Sequence, residues 1–183
     1  MYPFIRMAFG IWKARKVQKL GPFATYVSRH RCWLWDIDMW MELNNGRTLT
    51  LYDLGRIPLA QVNGLIAVIR QERWGLTMAG VVVRYRRRIR TFEKFEMRSR
   101  LLCWDARFLY IEQSMWKANG ECANHAVYRS AVTDRKGIVA TDRVIEAMGM
   151  AETPSPEMPD WVADWLRAED ARPWPPMQDA ISG

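Results

Sequence analysis

The chain has 183 residues, 49% of them hydrophobic and 26% charged, a balance that excludes global disorder and leaves room for one well-packed core. Its longest charge-free stretch, Ile57–Ile69, contains Pro58, Gln61 and Asn63 and falls well short of the about 20 apolar residues a membrane span needs. The net charge of +7 favours polyanionic partners in general, but 21 of the 27 basic residues are Arg, a bias that composition alone can produce.

Met1–Leu20 sets Ile5, Phe9 and Trp12 at helical spacing ahead of Lys13, Arg15, Lys16 and Lys19. This predicts a short amphipathic helix, residues 1–21. It packs on the domain, on a partner subunit, or as a peripheral contact on a membrane surface. The basic cluster follows the apolar stretch, the reverse of a secretory signal. Gly21-Pro22 ends the helix. Ala24–Trp33 alternates as a strand. Asn44–Asn63 reads as a helix with an Asn cap, broken or kinked at Pro58, which removes the hydrogen bond to Leu54. A short helical stretch follows over Leu65–Arg73.

Beyond Gly75 the period changes to two. Val81–Arg90 reads as a strand with Arg84, Arg86, Arg88 and Arg90 on one face, followed by strands over Phe95–Trp104, Phe108–Lys117 and Cys122–Val132. Asn119-Gly120 is a hairpin turn, because both residues tolerate positive φ. Short links between these strands predict an antiparallel meander. Thr141–Met148 is a short helix. From 150 to 183 a proline-rich tail with one small helix behind Pro159 lies over the domain and ends frayed.

One strand, one long helix and then several antiparallel strands bury both a helix stripe and a sheet face most simply when the sheet wraps around the helix. The residues Trp35-Asp36-Ile37-Asp38 through Asn44-Asn45-Gly46-Arg47 to Asp53-Leu54-Gly55-Arg56 resemble the signature of hotdog acyl-CoA thioesterases of the 4-hydroxybenzoyl-CoA thioesterase-like group. Phe92–Asp105 and Asp134-Arg135-Lys136-Gly137 resemble later segments of a bacterial thioesterase-like branch. The resemblance covers about residues 24–149 and implies an α+β hotdog domain over 22–149, assembled as a homodimer or homotetramer because the family's sites form between subunits. Three positions depart from the pattern: Met41 stands where Gly is usual, Glu42 where His is usual and Thr48 where Tyr is usual. The first implies a differently shaped loop before the helix, and the second inverts the charge beside the site.

The implied activity is hydrolysis of an acyl-CoA thioester to free acid and coenzyme A, with the thioester as substrate and no cofactor. By resemblance, Asp38 is base or nucleophile, the Asn45 amide is the oxyanion donor with Gly46 beside it, and Asp53 is an auxiliary carboxylate. The residues themselves agree in part, since a helix N-terminus offers free N–H donors and positive dipole. Asp38 read alone is a strand-ending or capping acid. Asp36 orients the loop. Asp53 equally forms an ion pair with Arg56 at i+3 spacing. Asn44 is a substrate-orienting amide or a plain helix cap, with the cap favoured. Trp35, Trp40 and Met41 line an acyl pocket. Arg84, Arg86 and Arg88 contact coenzyme A phosphates or form a solvated sheet face.

The alternative function is a non-catalytic acyl-CoA or lipid-binding hotdog protein. No stacking platform or DNA-reading helix pattern points to nucleic acid. His30 and His125 are strand histidines without a catalytic third partner. Cys32, Cys103 and Cys122 are too sparse for a disulfide framework or structural zinc, which predicts a reducing, cytoplasmic setting and no metal.

Overall fold

The computed structural model describes residues 2–177. α1 (Phe4–Ala14) leads to β1 (Tyr26–Arg31), a loop with one 3-10 turn (Leu34–Asp36), and the long helix α2 (Asn45–Val62). α3 (Leu65–Glu72) connects to β2 (Gly75–Tyr85), β3 (Lys94–Trp104), β4 (Leu109–Lys117), β5 (Cys122–Asp134) and the two-residue β6 (Gly137–Ile138). α4 (Thr141–Ala147) and α5 (Asp160–Asp170) complete the chain. The frayed end expected of the tail falls in part on 178–183, outside the described residues.

The sheet is antiparallel throughout, in the order β1-β3-β4-β5-β2, with β6 hydrogen-bonded to β5. The expected meander is β3-β4-β5, closed at one hairpin by Gly120 with φ 85°. α2 packs against β1, β3 and β4, so one sheet face wraps the helix as the sequence pattern requires. On β3, Phe95, Met97, Ser99 and Leu101 point at that helix with almost no exposure. A bulge between Leu101 and Cys103 then switches the strand's orientation. Cys103 joins Phe108, Tyr110, Val127 and Ala131 on the opposite face, which α5 covers through Val162. The proline-rich tail thus lies over the sheet, tied by Ser155 to the backbone of Trp104.

Two expectations need correction. Of the break or kink expected at Pro58, the break does not occur: α2 continues to Val62, with Asn63 as its C-cap. Packing decides this: Pro58 is buried, and Gly10 of α1 lies against its ring, with a Cβ position only 3.5 Å from Pro58 Cγ. The second concerns the arginines. β2 ends at Tyr85, and Arg86–Arg90 form a loop, so Arg84, Arg86, Arg88 and Arg90 do not share one strand face. The amides of Arg86 and Arg87 both donate to the Ala123 carbonyl, which turns the chain off the sheet before alternation can continue.

Candidate active site

The site is built from the loop between β1 and α2 and from the first turn of α2. Asp36 is fully buried and accepts from Arg6 of α1 (2.7 Å), from Arg47 of α2 (2.7 Å) and from the Trp33 amide (3.1 Å), while its carbonyl receives the Asn44 amide. A carboxylate with two guanidinium partners can be buried because its charge is offset. Asp36 therefore orients the loop, as expected.

Next comes a tight turn. The Asp38 amide donates to the Glu42 carbonyl and the Met41 amide to the Asp38 carbonyl, with an isolated bridge between Ile37 and Leu43. Met41 takes φ 60°, the left-handed region that glycine favours. The methionine thus stands on a glycine-like backbone at the position where the resemblance expects glycine. Asp38 is half-buried, with Oδ1 accepting the Trp40 amide at 2.9 Å.

Asn44 caps α2 by accepting the Arg47 amide at 3.0 Å, the role favoured for it over substrate contact. The Thr48 amide and Thr48 Oγ1 both donate to the Asn44 carbonyl. The amides of Asn45 and Gly46 precede Thr48, whose amide is the first to be bonded within the helix, and lie at its positive end. A cleft of about 210 Å³ lies here, lined by Asn45, Thr48, Glu42, Tyr85 and the loop Arg86–Ile89. Tyr85 Oη donates to the Asn45 carbonyl at 3.0 Å and fixes the helix start to β2.

The structure thus brings Asn45, Arg86 and Arg88 together. Arg84 stays on β2, outside the cleft, and Trp40 is exposed. Asp38 does not line this cleft in the single chain. The carboxylate that does is Glu42, held by Arg88 at 2.9 Å, so the charge inversion at this position is neutralised locally. Sequence reading passed over Glu42 and Tyr85 as site residues. The only signal for Glu42 is its position in the motif, and Tyr85 depends on a strand pairing that spacing does not reveal.

Asp53 lies two turns further along α2 and forms the alternative ion pair, with Arg56. It also faces the Tyr2 hydroxyl, whose pKa burial and the Asp53 charge push up to about 12. Arg56 reaches Gln113 and stacks over Tyr128, and Tyr52 Oη donates to Asn124 Oδ1, a buried polar seam between α2 and the sheet. Burial pushes the Cys32 and Cys103 thiols up to about 11, which removes both as nucleophiles.

A larger cleft, about 1220 Å³, lies elsewhere, between α1 and the edge strand β1, with Phe9, Lys13, Tyr26, Leu54 and Phe95 in its walls. Ser28 and His30 share a hydrogen bond of 2.8 Å there. Burial, then Arg6 and Lys13, lower the His30 pKa to about 4.

A family model described as "Thioesterase-like superfamily" matches residues 32–166, the span that holds this loop, α2 and the sheet. The chain belongs to the thioesterase-like superfamily. It is 30% identical over 176 residues to Protein THEM6 of Xenopus laevis, covering 92% of this chain and 80% of the relative. Among solved structures, the YbaW probable thioesterase of Escherichia coli superposes with a TM-score of 0.63 at 14% identity, covering 68% of this chain and 97% of that one. The hypothetical protein SAV2348 of Staphylococcus aureus, solved in complex with CoA, gives a TM-score of 0.58 at 9% identity, covering 76% and 91%. These neighbours share the hotdog fold with this thioesterase-like chain, and the resemblance read from Asp36 to Arg56 holds.

Proposed function

We propose that this chain hydrolyses an acyl-CoA thioester to a free acid and coenzyme A. The observation that carries the reading is the first turn of α2, where Asn45 lines a cleft walled by Arg86 and Arg88, with Gly46 next in the chain. Asp38 takes a proton from water, or attacks directly; the new bond forms at the carbonyl carbon while the carbonyl oxygen gains charge against the two amides. The C–S bond then breaks: on the first route the sulfur takes the proton back from Asp38 as the free acid leaves, and on the second the thiolate takes a proton from solvent and water then hydrolyses the acyl–Asp38 anhydride, restoring the carboxylate. Removing one oxyanion-hole donor costs about 3–4 kcal/mol in a serine protease, which sets the scale for such an amide. Arg86 and Arg88 contact the phosphates of coenzyme A, whose presence in the S. aureus neighbour supports this ligand class.

A second copy completes the site. Leu34, Trp35, Met39, Trp40 and Met41 are all exposed around Asp38, an apolar patch of the kind that marks an interface. A homodimer covering this patch would supply the wall that Asp38 lacks in the single chain. The other reading is a binding protein without turnover, favoured by the placement of Glu42, already neutralised by Arg88, in the cleft in place of Asp38.

An acyl-CoA panel with thiol detection separates the two. Turnover that Asp38→Asn lowers at least about 100-fold supports the mechanism. Turnover lost in Glu42→Gln and intact in Asp38→Asn moves the carboxylate role to Glu42. Tight acyl-CoA binding by a wild type that releases no thiol establishes the binding protein.

A further inference from the structure

α1 is apolar on two opposite faces. Met7, Gly10, Ile11 and Ala14, spaced i, i+3, i+4 and i+7, turn toward α2: Met7 and Ala14 are buried, Gly10 meets Pro58, and Ile11 packs on the core. Ile5, Phe9 and Trp12 repeat i, i+4 and i+7 on the other side, where they are 88%, 54% and 49% exposed. A surface helix needs one apolar stripe, and the fold has already used it. The outer stripe is not a scatter of isolated residues. Phe9 and Trp12 stack at 5.7 Å, and Phe4 and Val17 extend the apolar surface at either end.

Charge identifies what covers this face. Lys13 Nζ lies 4.4 Å over the Phe9 ring and Lys16 Nζ 3.8 Å over the Trp12 ring, with Arg15 and Lys19 following. Residues 1–35 hold seven Arg and Lys and no Asp or Glu. A twofold contact between two such stripes would set Lys13 and Lys16 against their own images with no carboxylate in the segment to offset them, so a second copy is a poor occupant. Aromatic and branched side chains in a plane, with lysines folded over the rings and free to reach outward, match the boundary between acyl chains and anionic headgroups. Continuity adds to this. Phe9, Lys13 and Val17 also line the large cleft under α1, whose walls set Tyr26, Leu54 and Phe95 among Arg6, Arg29 and Arg31, so the exposed stripe is continuous with a basic, amphipathic groove.

We infer that the outer face of α1, through Ile5, Phe9 and Trp12 with Lys13 and Lys16, seats the protein peripherally on an anionic lipid surface. The contact is interfacial, since no helix among the described residues is long and apolar enough to cross a membrane. It stands or falls independently of thioester hydrolysis.

The test is co-sedimentation of the full chain with sucrose-loaded vesicles of phosphatidylcholine alone or mixed with phosphatidylglycerol. The wild type should partition at least about tenfold better onto the mixed vesicles and be released by high salt. The triple substitution Ile5→Ser, Phe9→Ser, Trp12→Ser should lower that partitioning at least about tenfold, and Lys13→Glu with Lys16→Glu should do the same. Far-UV circular dichroism and the thermal melt serve as controls for folding and stay unchanged. A wild type that remains in the supernatant with both vesicle types overturns the inference. So does binding that the triple substitution leaves intact. If the triple substitution instead converts a dimer to a monomer in sedimentation equilibrium while the wild type ignores vesicles, the face belongs to a second copy and the inference fails.

Discussion

At residue 41 a methionine occupies backbone that suits glycine, at φ 60° and with its side chain largely in solvent. A side chain in this region costs about 1–2 kcal/mol, and little packing within the single chain offsets it. Met41→Gly should therefore raise the melting temperature by about 2–4 °C for each kcal/mol recovered, in a thermal melt at neutral pH. Gly55 presents the opposite case. A Cβ there would come within 2.5 Å of Met97 Sδ and Ser99 Oγ and 3.2 Å of Gln113 Nε2, all in fully buried side chains. Gly55→Ala should cost about 1–3 kcal/mol in chemical denaturation, because α2 could no longer approach β3 as closely. The sequence motif contains both positions but distinguishes neither. Met41 reads only as a departure, and the need for glycine at residue 55 shows only in the close approach of helix to sheet.

Between elements, the legible part of the sequence is the part governed by local chemistry. Asn44 as cap, Gly120 in its turn and the alternation of β3, β4 and β5 follow from side-chain type and spacing. The end of β2 does not, because it depends on the Ala123 carbonyl in a strand 38 residues later capturing two amides. Nor does the site cleft, since Tyr85, Glu42 and Asn45 meet only through long-range pairing. Asp53 shows the limit most plainly: i+3 spacing to Arg56 correctly suggests an ion pair, while the motif suggests a site carboxylate two turns from where the cleft lies. Asp36 is the strongest tie between elements, joining α1, the loop and α2. Asp36→Asn would leave Arg6 and Arg47 facing a neutral amide in a buried setting. Loss of one partner of such a cluster costs about 3–5 kcal/mol, to be read as a lower denaturation midpoint.

For the molecule as a whole, the pH range of stability carries the signature of one histidine. The folded chain holds His30 neutral down to about pH 4, below its ordinary 6.5, because it is half-buried, which strips water from its charged form, and faces Arg6 and Lys13. Between those values the unfolded chain binds a proton that the folded one refuses, so this contribution is complete above pH 6.5 and is lost as pH falls toward 4. Glu112, lowered first by its bond to His125, weakens the fold only below its ordinary 4.5. Melting temperatures should accordingly decline between pH 6.5 and 4.5, and His30→Gln should flatten that limb. One feature already described reaches further than its immediate bonds. The Arg6–Asp36–Arg47 cluster makes the N-terminal helix a strut rather than an appendage: cutting it away would strip one guanidinium from a sealed carboxylate, bare the Leu54 and Pro58 side of the central helix, and slacken the turn on which any chemistry at residue 38 depends.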